Sequence, residues 1–269
     1  MKLRASVLML TLAVVYPAAS FQAATQEKPA AAPAATAPAA TAPAATAPAA
    51  TQERLPAAAD VLERYAAAVG GKALERLTSR VSKGTIEVVT FGSSGTFEQY
   101  IKAPDRVINI SSFPGFGDVI QAVNGQAGWA SMPDSGMRDL AGPELALMRR
   151  GAELNRPLHL KEQYATLAVT AKTKVGGRDA YVVQATPAAG PAETWYFDVE
   201  TGLMVKAELA SESGGTAFTM YLEDYKEIDG IKLPYTLRQE TPSFAVNIRI
   251  TEVTHNVPIE DSRFAKPAQ

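Results

Sequence analysis

From Ser79 onward, apolar and polar residues alternate with a period of two, in short runs broken by turn signals. TIEVVTF and TFEQYIK flank a GSSG tip and read as a hairpin. RVINISS, DVIQAV and QAGWASM continue the pattern, with Asn124-Gly125 a type I′ turn signal. After an interruption, LAVTAKTKV, a Gly176-Gly177 turn and DAYVVQATP resume it. ETWYFDV, GLMVKAEL, TAFTMYLEDYKEI, IKLPYTLRQE and FAVNIRITEV complete it. The connections are too short for βαβ crossovers. The pattern predicts a mainly β fold, an antiparallel meander of about ten or eleven strands in a barrel or sandwich.

Two stretches carry a helical period instead. PAAADVLERYAAAVGGKALERL places Val61, Leu62, Tyr65 and Val69 on one face. Gly70-Gly71 ends that helix, and a short second one runs through Leu77. The polar face has no excess of Lys or Arg, which disfavours a membrane-surface role. The interruption itself, SGMRDLAGPELALMRRGAEL, is a helix-like insertion with Pro143 suited to a first turn.

The chain opens with MKLR and an apolar run that ends at Pro17, short of the ~20 residues a spanning helix needs. Residues 1–20 therefore read as a cleaved secretory signal peptide, and the protein as an exported, periplasmic one. Residues 21–54 collapse to Ala, Pro and Thr with APAAT repeated, an extended tether with little to bury. Residues 55–269 form the folded domain.

With no cysteine and two histidines, disulfides and Cys-based zinc sites are excluded, and a His-based metal site has little support. A net charge of −2 argues against a nucleic-acid partner. No nucleophile elbow or P-loop is present, and Gly115-Phe116-Gly117 lacks the context of a dinucleotide site. In WYFDVETG, Trp195 and Phe197 share one strand face, with Tyr196 and Asp198 on the other. Asp198, Thr201 and Gly202 suit a turn better than a catalytic acid. The residues support a non-enzyme without cofactor. What remains is apolar strand surface, including Phe197, Met220, Leu222, Ile248 and Ile250. It either fills a closed interior or stays open beneath helices as a cavity for hydrocarbon.

In order along the chain stand the amphipathic helix, IKAPDRV, VNGQAGW, the helical insertion, VGGRDAYVV, WYFDVETGLMVKAEL, YKEIDGIKLPYTL and IEDSRFAKP. Together they resemble the periplasmic outer-membrane lipoprotein carrier (LolA-like) superfamily over about residues 56–267. The resemblance implies an unclosed half-barrel with an apolar inner face under helical covers at 57–69 and 138–154. It implies lipid or acylated lipoprotein as the partner, transient membrane association and no cofactor. Ile86, Val88, Tyr100, Trp129, Leu147, Trp195, Phe197 and Met220 are the implied ligand-binding wall. Relatives that act as envelope sensors imply a protein-interaction module as the alternative. The carriers have an arginine before the proline of the second strand that holds the cover shut. Here Ala103 precedes Pro104, and Arg106 is out of register.

Overall fold

The computed structural model describes residues 54–211 and 215–268. The expected signal peptide and, apart from Arg54, the expected tether lie outside the described residues. The strands are β1 (Ser79–Val88), β2 (Ser93–Lys102), β3 (Arg106–Phe113), β4 (Gly117–Asn124), β5 (Ala127–Met132), β6 (Gly136–Asp139) and β7 (Tyr164–Val175). They continue with β8 (Arg178–Pro187), β9 (Glu193–Asp198), β10 (Met204–Ala210), β11 (Thr216–Ile228), β12 (Ile231–Glu240) and β13 (Ala245–His255).

All belong to one antiparallel sheet in the order β6-β5-β4-β3-β2-β1-β13-β12-β11-β10-β9-β8-β7. The fold is mainly β, a meander not closed into a barrel. There are 13 strands where about ten or eleven were expected. Each of the twelve runs quoted above supplies its own strand, and the thirteenth is β6, whose residues the sequence pattern merges with the helical insertion. Its four residues are too few to show a period, yet Trp129 pairs with Asp139 and Ala130 with Arg138.

The first and last strands pair with each other, so the middle of the sheet is built from the two ends of the domain. The free edges fall at β6 and β7, which are consecutive in sequence. A four-residue strand blunts one edge, and Lys174 with its partner Asp179 lines the other. Residues 140–163 join the edges and carry α2 (Gly142–Ala152), a 3-10 turn (Arg156–Leu158) and α3 (Leu160–Gln163).

This insertion requires the sheet to curl. Helix α2 packs on β3 and β4, and its Arg150 hydrogen-bonds Glu193 of β9. Eight strand steps separate β4 from β9, about 38 Å along a flat sheet. An 11-residue helix is about 16 Å long. Only a sheet wrapped around α2 brings both within reach. At Gly84 the β1–β13 register slips, and a Cβ there would sit 2.0 Å from the Arg249 carbonyl oxygen. Thr251 is the extra residue of a bulge on β13, and the bare Gly84 opposite it lets the sheet bend at that point.

The N-terminal α1 (Ala58–Ala68) presents Val61, Leu62 and Tyr65 to the sheet, as its spacing predicts. It stops at Gly70, where φ is +139° and an added Cβ would approach the Gly230 oxygen to 2.9 Å. The Asp229-Gly230 turn has positive φ at both central residues, as type I′ requires. The Asn124-Gly125 turn does not. Asn124 closes the ladder opposite Ala127, and only Gly125 has positive φ, as in type II′.

Candidate functional site

One face of the sheet is defined by register. Val183 pairs with Trp195, Trp195 with Ala207, Ala207 with Met220, Met220 with Gln239, Gln239 with Val246, and Val246 with Val88. Partners directly opposite share a face. Helix α1 covers this face at Trp195 and Phe197, so it is the inner one. Trp195 and Phe197 are both 1% exposed. The Tyr164 and Trp195 rings meet edge-on at 4.7 Å, and the Tyr65 and Phe197 rings lie 5.1 Å apart.

Helix α2 reaches the same face at Leu147, which packs with Leu209 and Phe218, and with partly buried Met220. Ile86 and Val88 are inner residues too. They cluster with Phe97, Phe113, Val119, Met132, Val246 and Ile248, without a helix residue among them. Six of the eight residues expected to line the wall thus share the inner face: Ile86, Val88, Leu147 (from the helix side), Trp195, Phe197 and Met220. Tyr100 and Trp129 lie on the opposite face. Trp129 packs with Ile108, Ala122, Ile259 and Phe264, and its indole N–H donates to the Phe264 carbonyl at 3.1 Å. Arg263 stacks 4.1 Å over the Tyr100 ring. The C-terminal segment therefore covers them. Alternation on β2 and β5 assigns each strand two faces but not which is inner.

Between the helix-covered patches runs a strip of apolar side chains that keeps partial exposure: Ala207, Met220, Leu222, Leu237 and Ile250. Its members are contiguous, since Ala207 pairs with Met220 and Leu222 with Leu237. Tyr65 borders it, packed on the same cluster as Ala207 and Leu222. A second band is polar. Ser82, Gln99, Asn109 and Gln121 are direct partners across β1 to β4 and point inward. The Gln99 amide donates to Asn109 Oδ1 at 2.9 Å, and Arg80 Nη2 donates to Gln99 Oε1 at 3.1 Å. Both polar side-chain atoms of Gln121 and the Ser111 hydroxyl are buried without a partner. No sequence signal pointed to Arg80 or to this band, because residues of β1 are apolar and polar on both faces.

A buried charged cluster ties the insertion to the sheet. Glu193 accepts from Arg150 (3.2 Å), from the Tyr164 hydroxyl (2.7 Å) and from the Trp195 indole (2.9 Å), with Arg156 at 3.6 Å. Burial pushes the Tyr164 phenol up to about 12, so it keeps its proton and donates to Glu193.

Asp198 forms the turn that its sequence context suggested. Its Oδ1 accepts from the Thr201 amide at 2.7 Å, the Thr201 hydroxyl at 2.8 Å and the Glu200 amide at 3.1 Å. Arg178 donates to both carboxylate oxygens. Beside it, a crevice of about 170 Å³ lies between α1 and the β9 turn, lined in part by Arg64, Phe197 and Gly202. That is below the ~300–1,000 Å³ of a small-molecule pocket. Among the described residues, no three His, Asp or Glu side chains are grouped to hold a metal ion. No helix of the described residues is long and apolar enough to cross a membrane.

An antiparallel sheet left open at one seam, with helices over its inner face, is the architecture of LolA-like proteins, and this chain has that fold. Among solved structures, it is similar to a LolA superfamily protein from Nitrosomonas europaea, with a TM-score of 0.55 and 16% identity over 79% of this chain and 99% of that one. A DUF1329 family protein from Desulfovibrio piger gives a TM-score of 0.58 at 14% identity, over 77% of this chain and 97% of that one. A domain assigned to outer membrane lipoprotein sorting, from Vibrio parahaemolyticus, gives 0.52 at 15% identity, over 77% and 97%. At such identities the likeness is one of fold. No protein-family model and no curated protein matches the chain.

Proposed function

We propose that the protein is an exported carrier that holds acyl chains of lipids or lipoproteins against the inner face of its open sheet, without catalysis. The observation that carries this reading is the contiguous strip of Ala207, Met220, Leu222, Leu237 and Ile250, left partly exposed on an inner face that the helices cover only in part. Apolar area of this kind gains about 25 cal/mol per Å² on leaving water, and an acyl chain can supply the cover. Leu147, in the cluster that Met220 packs against, borders the strip, and Trp195 with Phe197 form the floor beneath α1. The curled sheet and the seam crossed by residues 140–163 give a ligand a route of entry that breaks no strand pair.

The sorting role assigned to the Vibrio parahaemolyticus domain agrees with this reading. Residues 1–20 serve as the export signal and 21–54 as a tether between the site of anchorage or passage and the binding domain. Native mass spectrometry of protein purified from an envelope fraction tests the proposal. Co-purified lipid, or uptake of added phospholipid or lipopeptide, is expected; a protein that stays free of both after incubation overturns it.

A further inference from the structure

We propose that the inner face also holds the head of an anionic amphiphile, a carboxylate or phosphate carried on an acyl chain, between the Arg80 guanidinium and the Tyr65 hydroxyl. This deepens the lipid-binding reading and rests on it.

Arg80 faces inward beside Ile101, its direct partner on β2, within the helix-covered core. Its hydrogen bond is to a neutral group, Gln99 Oε1, and its Nε is buried without a partner. Among the described residues no carboxylate forms an ion pair with it. Buried charges in proteins are as a rule paired, because stripping water from an unpaired ion is costly. Burial pulls the guanidinium down to about 10, with Tyr65 acting against it, so at neutral pH the charge persists. Arg150 and Arg156, which also reach this interior, are committed, since both point at Glu193.

Tyr65 completes the site. It packs on the core cluster that holds Ile101, the direct partner of Arg80, and burial raises its pKa against the charges of Arg156 and Arg80, so it remains a neutral donor. Its hydroxyl makes no hydrogen bond among the described residues. The polar band supplies further donors, since the Gln121 amide is buried without a partner. An anion placed here would meet a guanidinium and a phenolic O–H, with Gln121 in the adjoining band. An ammonium would meet no free carboxylate, because Glu193 is saturated by Arg150, Tyr164 and Trp195. That selects an anionic head over a cationic one. A chain is selected over a bare anion by position: Tyr65 packs both on the core cluster that holds Ile101, the partner of Arg80, and on the one that Leu222 of the exposed strip packs against.

The test is titration calorimetry at neutral pH with three probes, palmitate, hexadecanol and inorganic phosphate, on the full chain and on R80Q and Y65F. The full chain is expected to bind palmitate about tenfold or more tightly than hexadecanol, a charge-assisted hydrogen bond's worth of discrimination. R80Q should lose that preference with hexadecanol binding unchanged, and Y65F should reduce it several-fold. R80Q should melt no lower than the parent, since it removes a charge that has no counter-ion; if it does not fold, Y65F decides. Palmitate binding that R80Q leaves untouched overturns the anion site while the carrier reading stands. Failure of both amphiphiles to bind the full chain overturns the carrier reading itself. Phosphate bound as tightly as palmitate, and lost in R80Q, replaces the lipid head by a free anion and overturns the proposal.

Discussion

Arg150 on α2 donates to Glu193 on β9 across 3.2 Å, and both side chains are nearly buried. The contact links the inserted segment to strands far along the sheet from β6. Glu193 is the common acceptor of Arg150, Tyr164 and Trp195, with Arg156 alongside.

Removing the carboxylate charge leaves two guanidiniums without a counter-ion. Breaking one partner of a buried pair costs about 3–5 kcal/mol. Glu193→Gln is therefore expected to destabilise the domain by about 3 kcal/mol. Amide exchange should accelerate most in 140–163, ahead of the rest of the sheet. Hydrogen-exchange mass spectrometry checks this; uniform acceleration across all strands would show that Glu193 supports the whole fold and not the cover.

The turn at Asp198 predicts a pH dependence. Burial alone would raise its pKa; hydrogen bonds from Arg178 and Thr201 outweigh it and hold the carboxyl at about 2. The unfolded value is about 3.9. With the folded pKa below the unfolded one, the stabilisation is complete above about pH 4 and is lost as pH falls towards 2. Its size is about 2 kcal/mol, set by a carboxylate 3% exposed whose partner Arg178 is half in solvent. Asp198→Asn should lower the neutral-pH melting temperature and flatten its dependence between about pH 4 and 2. Denaturant titrations across that range check both.

The two tryptophans separate the two faces. Trp129 lies under the C-terminal segment and Trp195 under α1. Either change to Ala removes a large buried side chain and is expected to cost about 3–5 kcal/mol. Trp129→Ala should leave hexadecanol binding by the folded fraction within about twofold, because ~0.4 kcal/mol is all that reaches the inner face. Trp195→Ala should weaken it as well. Equal losses in both would place part of the ligand on the outer face.

Much of the sheet was legible because alternation and turn chemistry are local. The runs from TIEVVTF to FAVNIRITEV each supply a strand, although Val89–Phe91 form a 3-10 turn and residues 93–95 of the expected GSSG tip already belong to β2; Val61, Leu62 and Tyr65 meet the sheet as their spacing demands. What was not legible depends on contacts distant in sequence. The four residues of β6 are held by pairing with β5 and carry no period of their own. The inner face is fixed by where α1 and the C-terminal segment dock, which separates Tyr100 and Trp129 from Ile86 and Val88. Arg80 reads as a solvated strand residue until the β1–β2 register turns it inward beside Ile101.

Leu222 and Leu237 are direct partners on β11 and β12 and stay partly exposed on the inner face. A fully buried leucine replaced by a polar residue disrupts the core, whereas a half-exposed one forfeits only the area it hides. Leu222→Gln and Leu237→Gln are each expected to cost about 1 kcal/mol of stability. If an acyl chain covers both side chains when bound, each substitution also removes apolar contact from the complex and places an amide against hydrocarbon. The loss in binding should then exceed the loss in folding, about tenfold in hexadecanol affinity, or ~1.4 kcal/mol, for each variant. The pair should be less than additive, because the two side chains touch the same stretch of ligand. Calorimetry with the double variant and both singles reads this directly. Unchanged affinity in all three, with folding intact, would move the acyl chain off this strip and towards the Ile86–Val88 cluster.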